Sequence, residues 1–149
     1  MEAQGRGVLI TGCDSGFGHQ MARTLHSLNF TVFATCLDGD SPGGQSLRRL
    51  GVHVLTVDIT CQEQVDMALK TVEERLPPLG LWALVNNAGV GIYGYAEWIP
   101  VEYYQKVSLY FNIPMAIFIP FLLEKKKKVN QVKKKNALKN DEITIQNYK

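Results

Sequence analysis

Three glycines stand close together directly after an apolar run near the start of the chain. The run Val8-Leu9-Ile10 leads through Thr11 into Gly12-Cys13-Asp14-Ser15-Gly16-Phe17-Gly18. A glycine-rich turn between a strand and a helix leaves unpaired N–H groups at the helix N-terminus, and the missing Cβ atoms let a phosphate approach them. This stretch predicts an anion site, with an ordinary strand–helix turn as the alternative.

Two later stretches bring polar groups to the same edge of the predicted sheet. Asp58 lies where the third predicted strand ends, and its carboxylate could accept a hydrogen bond from an adenine amino group. The alternative role for Asp58 is the N-cap of the following helix. Asn86-Asn87-Ala88-Gly89 ends the fourth predicted strand, where amides and small residues can lock a turn and leave room for a flat ring. An Asn-rich turn without a ligand is the alternative there.

The elements that would position these groups alternate between strand and helix patterns. Strands are predicted at residues 7–11, 30–36, 52–58 and 81–86, and helices at 17–28, around 46–50 and at 62–76. This alternation predicts an α/β fold with a parallel sheet, and right-handed crossovers give the strand order 3-2-1-4. The predicted fold class is a partial Rossmann fold, a doubly wound parallel sheet that stops before a catalytic half.

The sequences TGCDSGFG, VDIT and LVNNAG, in this order and at this spacing, resemble the motifs of the short-chain dehydrogenase/reductase family. The longer stretches VLITGCDSGFG and GLWALVNNAGVG are similar to the branch of retinol, 17β-hydroxysteroid and D-3-hydroxybutyrate dehydrogenases. The resemblance covers residues 5–107, so residues 1–107 are predicted to be an incomplete NAD(P)-binding domain. It implies an oxidoreductase that interconverts alcohols and carbonyls on a steroid, retinoid or hydroxy-acid substrate.

The resemblance also implies a dinucleotide site built from all three motifs. The pyrophosphate would lie against Thr11, Gly12, Ser15, Gly16, Phe17 and Gly18, the adenine against Asp58 and Ile59, and the ribose and nicotinamide beside Asn86, Ala88 and Gly89. Asp38 follows the glycines by about 20 positions, where an acidic residue binds the ribose 2′-OH and favours NAD. No Arg or Lys lies between Arg23 and Arg48 to pair with a 2′-phosphate. NAD is therefore the predicted cofactor, with NADP as the alternative.

The catalytic groups of this family are missing from the sequence. The resemblance implies a Ser and a Tyr-x-x-x-Lys pair, yet none of the six tyrosines is followed by Lys at that spacing. Asn112 lies near the position of a family Asn that supports a proton relay, but Pro114 and Pro120 break the helix that would hold it. Loss of general acid–base catalysis costs ~10²–10⁴ in rate. We therefore predict no catalytic residues in this chain and negligible dehydrogenase activity.

Charge is distributed unevenly along the chain. Residues 1–123 carry seven Lys and Arg against eleven acidic residues, whereas residues 124–149 carry nine Lys against three. Three interpretations apply to the apolar segment 108–123 and the basic tail 124–149, which depart from the family pattern. Residues 107–123 could cross a membrane, although a span needs about 20 residues, and the lysines could bind nucleic acid or anionic lipid. The Lys- and Asn-rich composition favours the third, a disordered tail without nucleic-acid or membrane partners.

The remaining features bear on compartment and assembly. The three cysteines are widely spaced and form no Cys-x-x-Cys pair, which argues against a metal site or disulfide framework and indicates a reducing compartment. The N-terminal residues lack the apolar stretch of a signal peptide, so a cytoplasmic location is expected. Without a fifth strand, the fourth would present an open hydrophobic edge, and we expect marginal stability and no family-type dimer. The alternative function is a non-catalytic nucleotide-binding or membrane-associated interaction protein.

Overall fold

Strands and helices alternate along the chain from the first strand to the fourth. The computed structural model describes residues 3–91 and 93–109. The elements are β1 (Gly7–Ile10), α1 (Gly16–Ser27), β2 (Thr31–Cys36), α2 (Pro42–Arg49), β3 (His53–Thr56), α3 (Gln62–Glu74), β4 (Leu81–Val85) and a short 3₁₀ helix (Ala96–Trp98). Residues 101–109 are also helical. Each strand and helix predicted from the sequence is found, with boundaries that differ by a few residues.

The four strands form one parallel sheet in the order β3-β2-β1-β4, which confirms the predicted order. Strand β1 pairs with β2 on one side and with β4 on the other, so that Ile10 lies opposite both Ala34 and Val85. All four residues of β1 are buried, because a central strand of a parallel sheet is covered on both faces. The carboxyl ends of the strands meet at one edge, where the loops that follow them come together.

Each face of the sheet has its own apolar core, and the helices are divided between the faces. Ile10 belongs to a buried cluster with Ala22 of α1 and Leu47 of α2. Leu9, the preceding residue, belongs to a second cluster with Val65 of α3. Neighbouring residues of a strand point to opposite faces, so β1 contributes to both cores. Complete burial of one such side chain contributes about 1.5–3 kcal/mol, and this burial on both faces holds the doubly wound arrangement together.

Strand β4 lies at the edge of the sheet and, among the described residues, pairs with β1 alone. Its side chains from Ala83 to Val85 are half-buried, and Trp82 is 45% exposed. The ring centroids of Trp82 and Phe30 are 5.5 Å apart. The Cζ atom of Arg6 lies 5.9 Å from the centroid of the Trp82 ring. Within residues 3–91 and 93–109 no strand pairs with the other side of β4, and the open hydrophobic edge expected from the sequence stays a prediction. Such an edge is a site at which chains aggregate.

The predictions for the C-terminal part fall largely outside the described residues. The apolar segment 108–123, the basic tail 124–149 and the relay position Asn112 lie beyond residue 109, apart from the helical residues 108 and 109. No helix within residues 3–91 and 93–109 is long and apolar enough to span a membrane. The interpretations of residues 107–123 and of the lysine-rich tail stay predictions.

Candidate functional site

The turn between β1 and α1 contains two glycines in the left-handed region of backbone space. Gly12 has φ +69° and Gly16 has φ +60°, conformations that residues with a Cβ rarely adopt. A Cβ on Gly12 would also lie 2.7 Å from Cα of Ala88, so this glycine lets the turn contact the residues after β4. A Cβ on Gly16 would meet no described atom within 4 Å. The turn is thus closely packed at Gly12 and open at Gly16.

Gly18 lies where α1 passes closest to this turn. A Cβ here would clash with the carbonyl oxygen of Gly12 and would lie 2.5 Å from Nδ2 of Asn87. Gly18 is buried in the first turn of α1, so neither neighbour can be avoided by turning a side chain outward. Glycine at this position therefore lets the helix begin directly against the end of the strand.

The N-terminus of α1 has no side-chain cap within the described residues. Ser15 is the N-cap residue, with an extended backbone, and its hydroxyl makes no capping hydrogen bond to the described helix. The first N–H groups of an α-helix have no partner inside the helix, and the aligned peptide dipoles make this end attract anions. Together with the open space over Gly16, these donors give the geometry of an anion site.

Thr11 and Asn87 join the glycine turn to the residues that follow β4. The Oγ1 atom of Thr11 accepts hydrogen bonds from the backbone N–H groups of Asn87 and Ala88, each at 3.0 Å. The Nδ2 atom of Asn87 donates to the carbonyl oxygens of Thr11 and Gly12, each at 2.9 Å. Thr11 is fully buried, and these hydrogen bonds provide its hydroxyl and its carbonyl oxygen with the partners that buried polar groups require.

Asn87 locks this turn, a role that the sequence assigns to the amides of Asn86-Asn87 without choosing between them, but the predicted ligand contacts omit it. The predicted contacts with ribose and nicotinamide are Asn86, Ala88 and Gly89. In the structure Asn86 is exposed, whereas Asn87 is half-buried and directs its amide to the glycine turn. Adjacent residues at a strand end point in opposite directions, so one asparagine of the pair faces the turn. The signal for choosing Asn87 is the register of β4 against β1, which the sequence does not contain.

Asp58 follows β3 and forms a tight turn with Thr60. Its Oδ1 atom accepts from the backbone N–H and the hydroxyl of Thr60, at 2.9 and 2.7 Å. The backbone N–H of Asp58 donates to Oε1 of Gln64 at 2.7 Å. The alternative role of Asp58 as N-cap of α3 is wrong, because Cys61 holds that position. Asp58 therefore belongs to the loop at the carboxyl edge of the sheet, next to the buried Ile59.

Asp38 lies two residues beyond the end of β2 and is exposed. Its Oδ1 atom accepts from the backbone N–H of Asp40 at 2.9 Å. The backbone N–H groups of Leu37 and Asp38 donate to the two carboxylate oxygens of Asp14, at 3.0 and 2.9 Å. Arg48 of α2 reaches the same loop and forms an ion pair with Asp40 at 2.6 Å. Asp14 and Arg48 are two charged neighbours of this loop that the sequence spacing does not indicate.

A cleft with a volume of ≈ 280 Å³ opens where the loops after β1, β2, β3 and β4 meet. Half of the predicted site residues line it, namely Gly12, Ser15, Asp58, Ile59, Ala88 and Gly89. The other lining residues are Asp14, Leu37, Val57, Asn87 and Val90. Of the predicted residues outside this lining, Thr11 and Gly18 are buried, and Gly16, Phe17, Asp38 and Asn86 are exposed. The volume is close to the lower end of the range for small-molecule sites, about 300–1,000 Å³.

The thiols of Cys13 and Cys36 are buried at the ends of the first two strands. The pKa of each thiol is raised to about 12, mainly by burial, and the negative charge of Asp14 contributes to the rise in both. A thiol with such a pKa stays protonated at neutral pH and is a poor nucleophile and metal ligand. All three cysteines are free, and residues 3–91 and 93–109 contain no cluster of three metal-binding side chains. Cys13 and Cys36 serve as small apolar groups of the core.

The parallel sheet has the strand order β3-β2-β1-β4, and at its carboxyl edge a glycine turn leads into the N-terminus of α1. These two features define a Rossmann-type nucleotide-binding fold. The family model described as short chain dehydrogenase matches residues 6–133, and the chain belongs to that family. The match extends beyond residue 107, where the resemblance described from the sequence ends.

Curated relatives include steroid and hydroxybutyrate dehydrogenases. The chain is 38% identical over 141 residues to estradiol 17-beta-dehydrogenase 2 of Rattus norvegicus, an alignment that covers 89% of this chain and 37% of the relative. It is 40% identical over 114 residues to the mitochondrial D-beta-hydroxybutyrate dehydrogenase of Rattus norvegicus, and this alignment covers 71% of this chain and 33% of the relative. It is 45% identical over 100 residues to 11-beta-hydroxysteroid dehydrogenase type 2 of Bos taurus, and this alignment covers 64% of this chain and 25% of the relative. The resemblance stated from the motifs is confirmed, and the chain spans between a quarter and just over a third of the length of these relatives, from 25% to 37%.

Solved structures with the same fold contain nicotinamide cofactors. A carbonyl reductase from chicken fatty liver with bound NADPH has a TM-score of 0.63 and 28% identity, covering 74% of this chain and 47% of that one. A 3-ketoacyl-(acyl-carrier-protein) reductase from Brucella melitensis complexed with NADH has a TM-score of 0.71 and 25% identity, covering 82% and 50%. A short chain dehydrogenase/reductase from Burkholderia phymatum in complex with NAD has a TM-score of 0.67 and 26% identity, covering 80% and 45%.

Proposed function

We propose that this chain binds a nicotinamide adenine dinucleotide in the cleft at the carboxyl edge of its sheet. The observation that carries this proposal is the uncapped N-terminus of α1 beside the open space over Gly16. A pyrophosphate there would accept hydrogen bonds from the free N–H groups and would be attracted by the helix dipole. The NADPH, NADH and NAD in three similar solved structures support this class of ligand.

The other lining residues suit the remaining parts of the ligand. Both hydrogen bonds that Asp58 accepts from Thr60 use its Oδ1 atom, so Oδ2 is the oxygen offered to an adenine amino group. The buried Ile59 would supply an apolar contact for the adenine ring. Ala88 and Gly89 line the cleft with little side-chain bulk, which leaves space for the ribose and the flat nicotinamide ring.

We propose NAD as the preferred dinucleotide. The exposed carboxylate of Asp38 can accept a hydrogen bond from the ribose 2′-OH, and its charge would repel a 2′-phosphate. Arg48 reaches this loop and could attract that phosphate, but its guanidinium is held by Asp40 at 2.6 Å. The charges of the loop therefore favour the dinucleotide without the phosphate.

We propose hydride transfer between the nicotinamide and a steroid or hydroxy acid as the reaction of the whole family protein. The support comes from the matched estradiol, 11-beta-hydroxysteroid and D-beta-hydroxybutyrate dehydrogenases, of which the chain covers 37%, 25% and 33% respectively. The sequence contains no Tyr-x-x-x-Lys pair for the proton-transfer part of that reaction. By itself, this chain would bind the cofactor without turnover.

A fluorescence titration with NADH tests the binding site through two matched substitutions at helix N-caps. Ser15→Asp places a carboxylate where the pyrophosphate would lie, while Asp is itself a favourable N-cap residue. Ser41→Asp is the control, because Ser41 caps α2 by accepting from the N–H of Gly44 and does not line the cleft. We expect the wild type and S41D to bind NADH, and S15D to bind at least roughly tenfold more weakly.

Two results would overturn this proposal. The first is a wild type that circular dichroism shows to be folded but that binds neither NADH nor NAD. The second is an equal affinity of S15D and S41D for NADH. The proposed lack of turnover is checked separately by supplying NAD with estradiol or D-3-hydroxybutyrate and following NADH formation. Steady NADH formation by the purified chain would contradict that part.

A further inference from the structure

The carboxylate of Asp14 connects two loops of the cleft that follow neighbouring strands. Asp14 lies in the turn after β1, and its oxygens accept from two consecutive backbone N–H groups after β2, those of Leu37 at 3.0 Å and Asp38 at 2.9 Å. Hydrogen bonds to an ionised acceptor are roughly twice as strong as those between neutral groups. The first residues of the loop after β2 are therefore held at a defined distance from the glycine turn.

The backbone of Asp14 is also in close contact with the start of α2. A Cβ on Gly43 would clash with the carbonyl oxygen of Asp14, and a Cβ on Gly44 would clash with the carbonyl oxygen of Gly39. Glycine at both positions lets α2 approach the two loops this closely. The segment from residue 37 to residue 41 is thus fixed by α2 at its far end and by the Asp14 carboxylate at its near end.

The place of Asp14 in the cleft relates it to one part of the proposed ligand. With the pyrophosphate over Gly16 and the adenine against Asp58, the ribose that connects them would lie between these two positions. Asp14 and Leu37 line the same cleft. The 2′ position of this ribose, which carries a hydroxyl in NAD and a phosphate in NADP, would therefore approach the loop that Asp14 holds.

We propose that Asp14 is a positioning residue that selects NAD over NADP, an inference that rests on the proposed dinucleotide site. It acts first by holding the backbone of Asp38, so that the Asp38 carboxylate stays within reach of the 2′-OH. It acts secondly by adding a negative charge beside that of Asp38, since a hydroxyl can donate to a carboxylate while a phosphate is repelled by both. The neighbouring Arg48 is paired with Asp40 and does not offset these charges.

The test is a pair of titrations, with NADH and with NADPH, on the full 149-residue chain. Asp14→Asn keeps the shape of the side chain, removes its charge and places an NH₂ group against one of the two backbone donors. Asp66→Asn is the matched control, because Asp66 is an exposed acid of α3 that does not line the cleft. The quantity compared is the ratio of the Kd for NADPH to the Kd for NADH.

We expect this ratio to fall roughly tenfold in D14N, about the effect of one lost charge-assisted hydrogen bond, and to stay unchanged in D66N. A merely structural role of Asp14 would weaken both dinucleotides equally, so an unchanged ratio in D14N overturns the inference and leaves the dinucleotide site standing. A wild type that binds neither dinucleotide overturns the site and the inference with it. Should D14N fail to fold, Asp14→Ser, which keeps one acceptor oxygen without the charge, gives the same comparison.

Discussion

Thr11 and Asn87, 76 residues apart in the chain, are joined by two hydrogen bonds that Asn87 donates. Its backbone N–H binds Oγ1 of Thr11 at 3.0 Å, and its side-chain Nδ2 binds the carbonyl oxygen of Thr11 at 2.9 Å. Thr11 directly follows β1, and Asn87 lies two residues beyond the end of β4. The relative position of the glycine turn and the small residues of the cleft therefore depends on this pair.

Replacing Thr11 by Val tests the pair, because valine has nearly the same shape but no acceptor. The N–H groups of the half-buried Asn87 and Ala88 would lose their common partner, the Oγ1 atom of the fully buried Thr11, and each hydrogen-bonding group left unsatisfied away from water costs about 1–3 kcal/mol. We expect urea denaturation to show that T11V loses at least ~2 kcal/mol of unfolding free energy. Thr11→Ser keeps the hydroxyl and should lose less. Equal stability of T11V and T11S would show that the hydroxyl does not hold the turn.

Gly18→Ala is expected to disrupt both the fold and the cleft. The added methyl would clash with the carbonyl oxygen of Gly12 and lie 2.5 Å from Nδ2 of Asn87, and overpacking of this kind costs about 1–3 kcal/mol. Gly91→Ala is the matched control, since its Cβ would come no nearer than 4.0 Å to the described atoms. Thermal melting and NADH titration of the two variants provide the measurement. Similar melting temperatures and affinities for G18A and G91A would contradict the packing described here.

Thr35→Val is expected to stabilise the protein. Thr35 is 1% exposed in β2, and its Oγ1 atom has no hydrogen-bond partner among the described residues. Replacing a buried unsatisfied hydroxyl by a methyl group of similar size removes its desolvation cost, so we expect a gain of about 1 kcal/mol. Thr31→Val, on the same strand but half-exposed, is the control and should change stability less. A lower melting temperature of T35V would indicate that the hydroxyl has a stabilising partner.

His53 makes stability depend on pH on the acidic side. Burial lowers the pKa of His53 below its ordinary value of 6.5, and the charges of Arg75 and His26 lower it further. Its ring is stacked on Phe33, with 5.0 Å between centroids. Because the folded-state pKa is the lower one, the unfolded chain takes up the proton more readily, and stability is full above pH 6.5 and is lost as the pH falls below it.

Melting temperatures measured between pH 5 and pH 8 test this dependence on His53. The wild type should melt at lower temperature as the pH decreases, and His53→Phe should reduce that dependence while keeping a ring against Phe33. For each variant, the melting temperature at every pH is compared with the value of the same variant at pH 8, so that each variant serves as its own control. Identical slopes in H53F and the wild type would show that another group titrates.

The architecture could be predicted because its determinants are local in the sequence. Each strand is a short apolar run, and each is followed by a turn or helix signal, so element types and the order β3-β2-β1-β4 follow from chain connectivity. Gly12 and Asp58 could be placed at the carboxyl edge for the same reason, since Gly12 follows one predicted strand and Asp58 ends another. The strand order then determines which other loops lie beside these two residues in the cleft.

The parts of the site that could not be predicted depend on contacts between loops. Asp14 binds backbone groups 23 and 24 residues away, and Arg48 reaches Asp40 from the following helix. The choice between Asn86 and Asn87 depends on the register of β4 beside β1, which is irregular between Gly7 and Val8. No pattern of residue types in one segment specifies these relationships, because they are set by the packing of segments that are distant in sequence.

The central position of β1 has a consequence for the order in which the protein assembles during synthesis. The first strand is made at once, but its partner β4 and the locking Asn87 leave the ribosome only after the other three described strands. Until then the backbone oxygens of Thr11 and Gly12 lack the amide that later binds them, and contacts between such distant residues form slowly. We therefore expect the glycine turn to be closed only once Asn87 has emerged from the ribosome.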